Sequence, residues 1–354
     1  MRIAFFGSSL VSAYWNGAAT YYRGLVKELH RRGHRVVFLE PDAFERQAHR
    51  DIPDPEWADV VVYRPAEWEA AVARAHDADV VVKASGVGVN DAELEAAVVD
   101  LAAPLTVYWD VDAPATLARL EADPEEPLRA LLPRYDLVLT YGGGDPVVRR
   151  YRALGAGDCV PVYNALDPET HHPAPADPRF EADLAFLGNR LPDREARVAE
   201  FFLGAAAAAP GRRFLLGGAG WEEREPPPNI RLLGHISTND HNAFNCTPLA
   251  VLNVLRESMA ANGWSPATRV FEAAGAGACL VSDAWEGIED FLEPDREVLV
   301  ARSGDEVAAH LETLAPQRAR AIGAAARRRV LAEHTYAARA AQVERLLARA
   351  AVAA

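Results

Sequence analysis

Short apolar runs alternate with amphipathic segments along almost the whole chain, and this alternation limits the possible folds more than any other feature. The runs are rich in β-branched and aromatic residues and are bounded by turn residues, as is typical of buried strands. Seven strands are predicted in the first half, at 2–6, 35–39, 59–63, 79–83, 105–109, 136–140 and 160–163. Helical segments lie between them, for example 21–32, which ends at Gly33 as a C-cap. Strands that alternate with helices pair in parallel through right-handed crossovers, so the pattern predicts an α/β fold.

The alternation is interrupted once, between residues 166 and 179, by a polar segment that is rich in proline. Its notable residues are Pro168, His171, His172, Pro173, Pro175 and Pro178. Such a stiff segment predicts a domain boundary. The alternation then resumes, with strands predicted near 183–187, 213–217, 230–233, 249–254, 278–282 and 297–301.

The chain is therefore predicted to form two doubly wound Rossmann-like domains that face a central cleft. The predicted domains are residues 1–166 and 183–335, joined by a linker at 167–182 and followed by a C-terminal helix at 336–354. A chain of 354 residues is long enough for each domain to bury its own core. In such folds, ligands bind at the carboxyl ends of the parallel strands.

The composition excludes several classes of function. The formal net charge of −14 argues against a nucleic-acid partner, because phosphate binding needs a basic face. Three cysteines far apart, Cys159, Cys246 and Cys279, have no zinc-site spacing and fit a reducing compartment. No apolar run is long enough for a signal peptide or a spanning helix, so a cytoplasmic location is expected.

Basic residues near the C-terminus allow two interpretations. The residues are Arg318, Arg320, Arg327, Arg328 and Arg329. Such a cluster can make peripheral contact with an anionic membrane, but it more often forms a solvated helix face. Membrane contact is therefore not expected as the main role.

The segment 265–283 carries the strongest functional signal. It predicts a loop, a short helix from about Thr268, a glycine break at 275–277 and a buried strand. Arg269 in the first helical turn can form a bidentate contact with a diphosphate, which the helix N-terminus also attracts. Glu272, one turn later on the same face, can accept hydrogen bonds from both ribose hydroxyls. From spacing alone, a capped surface helix with an internal Arg and Glu is equally compatible.

Segments 252–259 and 265–275 resemble the C-terminal signature of the CgeB-like glycosyltransferases, a branch of the GT-B sugar-nucleotide transferases. Three further segments agree in order. Residues 108–117 resemble the family's Asp-x-Asp-x-Pro stretch, 140–144 its glycine-rich turn and 183–189 the first strand of its second domain. The resemblance covers about residues 100–300.

The resemblance implies a GT-B architecture, in which 1–166 is the acceptor-binding domain, 183–335 is the nucleotide-sugar-binding domain and the helix at 336–354 packs back towards the first domain. It also implies a hexosyltransferase that moves a sugar from a nucleotide diphosphate donor to a hydroxyl acceptor. No metal and no cofactor besides the donor is implied, since positive side chains of GT-B enzymes stabilise the leaving diphosphate. The donor-binding candidates are Arg190, Arg194, His241, Asn253, Arg256, Ser265, Arg269 and Glu272. One position departs from the family, because Trp264 stands where many members have a second acid.

Asp110 and Asp112 follow a predicted strand and are the catalytic candidates. Alternate residues of an extended segment point the same way. Three interpretations remain open: one carboxylate is the general base for the acceptor hydroxyl, the pair binds a divalent metal, or Asp112 only caps the next helix.

Small and polar residues follow other strands of the first domain and are candidates for a phosphate or acceptor loop. They are Gly7, Asn16, Gly17, Tyr141 and Gly143. Exposed backbone N–H groups at such turns suit phosphate or sugar hydroxyls, but strand-to-helix turns also need small residues for packing. Two other functions also remain open: a non-catalytic sugar-nucleotide or glycan-binding scaffold for spore or envelope assembly, and a GT-B epimerase or phosphorylase.

Overall fold

The computed structural model describes residues 1–101, 103–221 and 226–353. The chain divides into two compact units. The first comprises Met1–Asn164 together with Tyr336–Ala354, and the second comprises Ala165–Thr335. The predicted C-terminal segment extends to residue 354, which lies outside the described residues. Within the described residues, no helix combines the length and the apolar character needed to cross a membrane.

The first unit contains a parallel sheet of seven strands in the order β3-β2-β1-β4-β5-β6-β7. The strands are β1 (Arg2–Phe6), β2 (Arg35–Pro41), β3 (Asp59–Tyr63), β4 (Val80–Ala84), β5 (Thr106–Asp110), β6 (Leu137–Thr140) and β7 (Cys159–Pro161). All seven predicted strands are confirmed, with ends within about two residues. The strand order reverses on either side of β1, which is where α/β sheets of this type bind ligands.

The helices of the first unit cover this sheet. They are α1 (Ala19–Arg31), α2 (Trp68–Ala73), α3 (Asp91–Asp100), α4 (Ala113–Ala122), α5 (Pro127–Leu131), α6 (Gly144–Ala153) and the last helix of the chain, α14 (Tyr336–Ala353). The last helix packs on α1, where a Cβ atom on Gly24 would lie 2.2 Å from Cδ2 of Tyr336. Gly24 is therefore what lets these two helices approach so closely.

The second unit has a parallel sheet of six strands in the order β10-β9-β8-β11-β12-β13. Its strands are β8 (Leu184–Leu187), β9 (Phe214–Gly217), β10 (Ile230–Gly234), β11 (Ala250–Asn253), β12 (Leu280–Asp283) and β13 (Leu299–Ala301). Every strand predicted in this half is confirmed. The order again reverses at the first strand, since β8 lies between β9 and β11.

Seven α-helices belong to the second unit as described. They are α7 (Pro192–Val198), α8 (Ala205–Ala208), α9 (His241–Cys246), α10 (Glu257–Asn262), α11 (Thr268–Ala276), α12 (Gly304–Thr313) and α13 (Pro316–Glu333), and a π-helix at Ala199–Gly204 joins α7 to α8. Short 3₁₀ helices lie at Pro65–Glu67, Leu132–Arg134, Pro178–Phe180, Thr238–Asp240 and Ile288–Asp290.

Two predictions differ from the structure. Gly275 does not break α11 but lies inside it, and the helix ends at Gly277, whose φ of +81° is the left-handed C-cap conformation. The segment 167–182, predicted as a linker, belongs to the second compact unit. Its backbone N–H groups at Ala174 and Asp177 donate hydrogen bonds to Cys246 Sγ and Thr247 Oγ1. These contacts fix a proline-rich segment whose composition resembles that of a free linker.

Candidate functional site

Three arginines gather at the carboxyl ends of β8 and β11 and at the start of α11. Because β8 and β11 are neighbours in the sheet, the turns that carry Arg194 and Arg256 lie side by side. Burial, together with the nearby charges of Arg269 and Arg256, lowers the pKa of Arg194 to about 10. Asp193 offsets part of this charge through its ion pair with Arg256, at 2.5 Å. Three guanidinium groups close together, one of them with a buried Nε donor that is unused in the described structure, favour an anionic ligand.

Arg194 is held over the end of β8. Its Nη2 donates a hydrogen bond to the carbonyl oxygen of Asn189 at 2.5 Å, and its guanidinium carbon lies 5.6 Å from the centre of the Phe186 ring. A Cβ atom on Gly188 would lie 2.7 Å from Nη2, so the glycine makes room for the side chain. The buried Nε atom has no hydrogen-bond partner among the described residues. An unused buried donor of this kind suits a phosphate oxygen.

Arg269 and Glu272 lie one turn apart on α11, and their side chains are 15% and 12% exposed. Nη2 of Arg269 is 3.9 Å from Oε2 of Glu272, while its Nη1 donates to Asn245 Oδ1 at 3.3 Å. Burial lowers the pKa of Arg269. Burial alone would raise the pKa of Glu272, but the charges of the neighbouring histidines and of Arg269 outweigh it and hold the pKa below its usual range. Glu272 is therefore an ionised acceptor.

Two histidines flank Glu272. Nε2 of His171 lies 3.8 Å from Oε1 of Glu272. Burial lowers the pKa of His241 to about 4, and the charge of Arg269 adds to this effect while Glu272 opposes it. His241 is therefore neutral near pH 7.

His171 was not among the site residues predicted from the sequence. It reaches Glu272 because Gly275 has no side chain: a Cβ atom there would lie 2.3 Å from Leu166 Cδ1 and 3.0 Å from the carbonyl oxygen of His171. The only signal in the sequence was a pair of histidines in the proline-rich segment. Their position in an apparent linker concealed the contact.

Other predicted donor-site residues make structural contacts. Asn253 donates to Ser282 Oγ at 3.1 Å, and Ser265 donates to the carbonyl oxygen of Gly263 at 2.8 Å. Both are buried. Asn253 links β11 to β12, and Ser265 braces its own loop. Arg190 forms a bidentate pair with Glu195, at 2.9 and 3.0 Å, and so is occupied within its own turn.

Trp264, at the position where many relatives of the predicted family have an acid, also has a structural role. Its Nε1 donates to Asp290 Oδ2 at 2.7 Å. Its ring lies against Gly287, where a Cβ atom would come within 2.3 Å of Cδ1. The indole ring therefore packs on the turn after β12.

Asp110 is buried and fully engaged in the first unit. Oδ1 accepts hydrogen bonds from Ser85 Oγ at 2.7 Å, Thr116 Oγ1 at 2.9 Å and the backbone N–H of Asp112 at 3.0 Å, and Oδ2 accepts from the hydroxyl of Tyr151. Burial raises the pKa of Asp110, against the effect of these hydrogen bonds. Such a carboxylate holds β5, α4 and α6 together and is badly placed to bind an acceptor or a metal. We therefore do not retain it as a catalytic candidate.

Asp112 has a different environment from Asp110. It is half-buried at the N-cap position of α4, and its carbonyl oxygen accepts from the backbone N–H of Thr116 at 3.0 Å. Within the described part of the chain, its carboxylate makes no capping hydrogen bond. The backbone carbonyl of Asp112 therefore forms the first hydrogen bond of the helix, and capping does not account for a carboxylate at this position.

Most of the remaining candidates in the first unit have packing roles. A Cβ atom on Gly7 would lie 2.4 Å from Phe38 Cζ, and one on Gly143 would lie 2.1 Å from Val147 Cγ2. Gly143 also has a φ of +93°, which favours glycine. The side chain of Asn16 accepts from Ser8 Oγ at 2.9 Å.

Gly17 and Tyr141 complete this group of candidates. No described atom lies within 4 Å of a Cβ atom built on Gly17, so packing does not require a glycine there. The ring of Tyr141 makes an edge contact with Tyr21, with centroids 5.4 Å apart, which places it beside α1.

The chain is similar to known proteins in its overall fold and in the sequence of its second half. Residues 194–345 match a family model described as "Glycosyl transferase-like". No curated protein sequence matches the chain. The chain superposes on sucrose-phosphate synthase from Thermosynechococcus elongatus with a TM-score of 0.71 and 14% identity, covering 100% of both chains.

Two further solved structures have a similar fold. HepE from Anabaena, in complex with UDP and glucose, gives a TM-score of 0.67 at 15% identity and covers 99% of this chain and 100% of its own. AviGT4, a glycosyltransferase involved in avilamycin A biosynthesis, gives a TM-score of 0.63 at 20% identity and covers 100% of this chain and 99% of its own. The chain has the GT-B fold. At these identities the similarity concerns the fold.

The glycosyl transferase-like region contains the arginine cluster of this GT-B chain. Arg194, Arg256, Arg269 and Glu272 all lie between residues 194 and 345. Asp112, in the first unit, lies outside that range. The family match therefore applies to the unit with the proposed anion-binding groups.

Proposed function

We propose that this chain is a glycosyltransferase that moves a sugar from a nucleoside diphosphate donor to a hydroxyl acceptor. The observation that carries the proposal is the cluster of Arg194, Arg256 and Arg269 beside the ionised Glu272 in a glycosyl transferase-like region. One ligand that matches both charges is a nucleoside diphosphate, with two phosphates for the cations and a ribose diol for the carboxylate.

The arginines have the role of binding the diphosphate. As the glycosidic bond breaks, negative charge develops on the leaving phosphate, and preorganised guanidinium groups stabilise that charge. Arg269 in the first turn of α11 also places the phosphate near the positive end of the helix dipole. These groups supply the positive charge that a divalent ion supplies in other transferases, so we propose that transfer needs neither a metal nor a cofactor besides the donor.

We assign Glu272 to the ribose hydroxyls. Its carboxylate is ionised and can accept from two hydroxyl groups, which neutral side chains do less strongly. HepE, which shares the fold, is known in complex with UDP and glucose, and this supports a uridine nucleotide as the first donor to test.

Asp112 is the proposed general base. It follows β5 at the carboxyl edge of the first sheet, its carboxylate does not cap α4 in the described structure, and a half-buried carboxylate can accept the proton of an acceptor hydroxyl. The acceptor itself is a hydroxyl compound of a class that remains open.

The resemblance of residues 252–275 supports a place in the CgeB-like branch, and we propose that membership. The three cysteines are free thiols, which supports the proposal of a cytoplasmic location.

Nucleotide binding tests the donor site directly. We expect one nucleoside diphosphate, out of UDP, GDP, ADP and dTDP, to raise the melting temperature of the full chain clearly above the others. Glu272→Ala should weaken its binding in calorimetry by about 1–3 kcal/mol, the usual scale for a hydrogen bond to a charged group. Glu257→Ala removes an exposed carboxylate of the same unit and should leave the affinity unchanged. Unchanged affinity in Glu272→Ala would remove this residue from the site.

Turnover separates transfer from simple binding. A matching nucleotide sugar should be hydrolysed slowly without acceptor and transferred when a suitable hydroxyl compound is present. Arg269→Lys keeps the charge but loses the planar pair of donors, so transfer should fall. Binding without turnover of any donor would favour the non-catalytic scaffold.

A further inference from the structure

His171, His241 and Glu272 form a compact group of potential metal ligands in the second unit. Each offers one ligand atom, and the three atoms lie within 4.8 Å of one another. We propose that these three side chains bind a transition-metal ion of the zinc class, and that the bound ion excludes the nucleotide from Glu272.

The donor set fits such ions. Two imidazole nitrogens and one carboxylate oxygen are common ligands of zinc, nickel and copper ions, whereas magnesium and calcium prefer oxygen ligands. Ligand atoms about 2.0–2.2 Å from a tetrahedral zinc ion are roughly 3.3–3.6 Å apart. Side-chain rotations must therefore close a gap of up to 4.8 Å by as much as about 1.5 Å. The pair of His171 Nε2 and Glu272 Oε1, at 3.8 Å, is already close to that spacing.

A neighbouring hydroxyl group orients one of the ligands. Nδ1 of His171 lies 3.0 Å from Thr170 Oγ1, and this hydrogen bond leaves Nε2 directed at Glu272. A hydrogen bond from the second ring nitrogen is what commonly fixes a metal-binding histidine.

The two oxygens of Glu272 have separate partners. Oε1 faces His171, while Oε2 lies 3.9 Å from Nη2 of Arg269. One oxygen can therefore bind a metal while the other keeps its contact with the guanidinium. The positive charge of Arg269 weakens cation binding, so the affinity should be lower than that of a closed structural site with four protein ligands.

Metal and nucleotide should compete for Glu272. The metal site stands independently of the proposed function, but this competition rests on it, because it assumes that Glu272 binds the ribose. The ion would then act as an inhibitor of donor binding. His171 gains a role that donor binding alone does not require.

Calorimetry of the metal-free full chain with zinc chloride tests the site. We expect one zinc ion per chain, no saturable binding of magnesium, and affinity at least tenfold lower in His171→Gln and in His241→Gln. His172→Gln changes the exposed neighbour of His171 and should bind zinc as the wild type does. X-ray absorption of the zinc-loaded wild type should show two imidazole ligands, and this measurement does not depend on any variant folding. No saturable zinc binding, unchanged affinity in His171→Gln, or a spectrum without imidazole would overturn the site.

A UDP titration with and without zinc distinguishes the two proposals. Saturating zinc should weaken UDP binding at least tenfold in the wild type. In His171→Gln a zinc concentration that weakens wild-type binding tenfold should weaken that variant's own UDP binding by no more than about twofold, which controls for zinc bound to UDP itself. If zinc binds but UDP does not, the uridine donor is wrong and the metal site stands. If both bind without competition, the exclusion of nucleotide is wrong.

Discussion

Asp110 and Asp112 show how environment separates two chemically identical side chains. The carboxylate of Asp110 accepts hydrogen bonds from four donors in the interior of the first unit. Asp112, two residues later, is half-buried and its carboxylate is not used as a cap in the described structure. The same residue type therefore has a structural role in the interior at Asp110 and lies half-buried, without a side-chain capping role, at Asp112.

We expect Asp112→Asn to lower kcat by about 100- to 10,000-fold with little change in donor affinity, since a general base acts only when the acceptor loses its proton. Turnover assays and calorimetry measure the two effects, and EDTA should not reduce turnover. Asp110→Asn should instead lower the free energy of unfolding by roughly 2–4 kcal/mol, because an amide NH₂ would face hydroxyl and N–H donors. Normal turnover in Asp112→Asn would contradict the role of base.

A second residue-scale prediction concerns His241. Its pKa of about 4 in the folded protein is below the ordinary value of 6.5, mainly because of burial. As the pH falls below 6.5, the unfolded chain binds a proton that the folded chain does not, so stability decreases between about pH 6.5 and 4. We expect a loss of roughly 1–3 kcal/mol from this group over that range.

NMR titration of the His241 ring measures this pKa, and denaturation between pH 7 and 4.5 measures the stability. His241→Gln should flatten the pH dependence, whereas His172→Gln should not. A ring that titrates near 6.5 would show that burial and Arg269 do not act on His241 as described.

At the scale of elements, α11 combines two functions along its length. Its first turns carry Arg269 and Glu272, while its last turn consists of small buried residues, Ala273–Ala276. The small residues allow the segment at 166–171 and α13 to approach closely. Close packing at one end thus fixes the position of the charged groups at the other.

Gly323 on α13 tests this packing. A Cβ atom there would lie 2.1 Å from the carbonyl oxygen of Gly277, which is backbone and cannot rotate away. Although alanine favours a helix by about 1 kcal/mol over glycine, overpacking costs more, so Gly323→Ala should destabilise the protein by roughly 1–3 kcal/mol net.

Chemical denaturation measures this change. Gly211→Ala is the matched control, since no atom of the described chain lies within 4 Å of a Cβ atom at that position. Equal stability of the two variants would mean that α11 and α13 can separate without cost.

At the scale of the whole molecule, the two compact units have the same kind of sheet topology. Each has a parallel sheet whose strand order reverses beside its first strand, β1 or β8. Polar candidates follow the carboxyl ends of the strands in both units, where the helices begin. The arginine cluster and Glu272, however, belong to the second unit alone.

Hydrogen–deuterium exchange with and without UDP tests whether the donor site lies in the second unit. We expect UDP to slow exchange in the turns after β8 and β11 and in the first turn of α11, because a bound anion orders those N–H groups. Exchange in α12 should change little, since that helix packs on α8 and the π-helix. Protection of the first unit without any at α11 would contradict the proposed donor site.

The sequence by itself determined the strands of both sheets, the helix at Thr268–Ala276 and the placement of Arg269 and Glu272 on one face of it. These features depend on local periodicity and on turn residues, which determine the backbone conformation over a few neighbouring residues. The glycines at 275 and 277 show the limit of that argument. Both disfavour a helix by propensity, but packing keeps Gly275 inside the helix, and Gly277 ends it.

Only the tertiary structure decided which candidates share a site. His171 contacts Glu272, although the two residues are about a hundred positions apart in the chain. Asp110 is buried among four hydrogen-bond donors, and Arg190 forms an ion pair with Glu195. Periodicity predicts which face of an element is buried, but the depth of burial and the identity of each partner depend on residues far apart in the chain. The chemistry of a charged side chain follows from those partners, and for this reason it is decided by the folded structure.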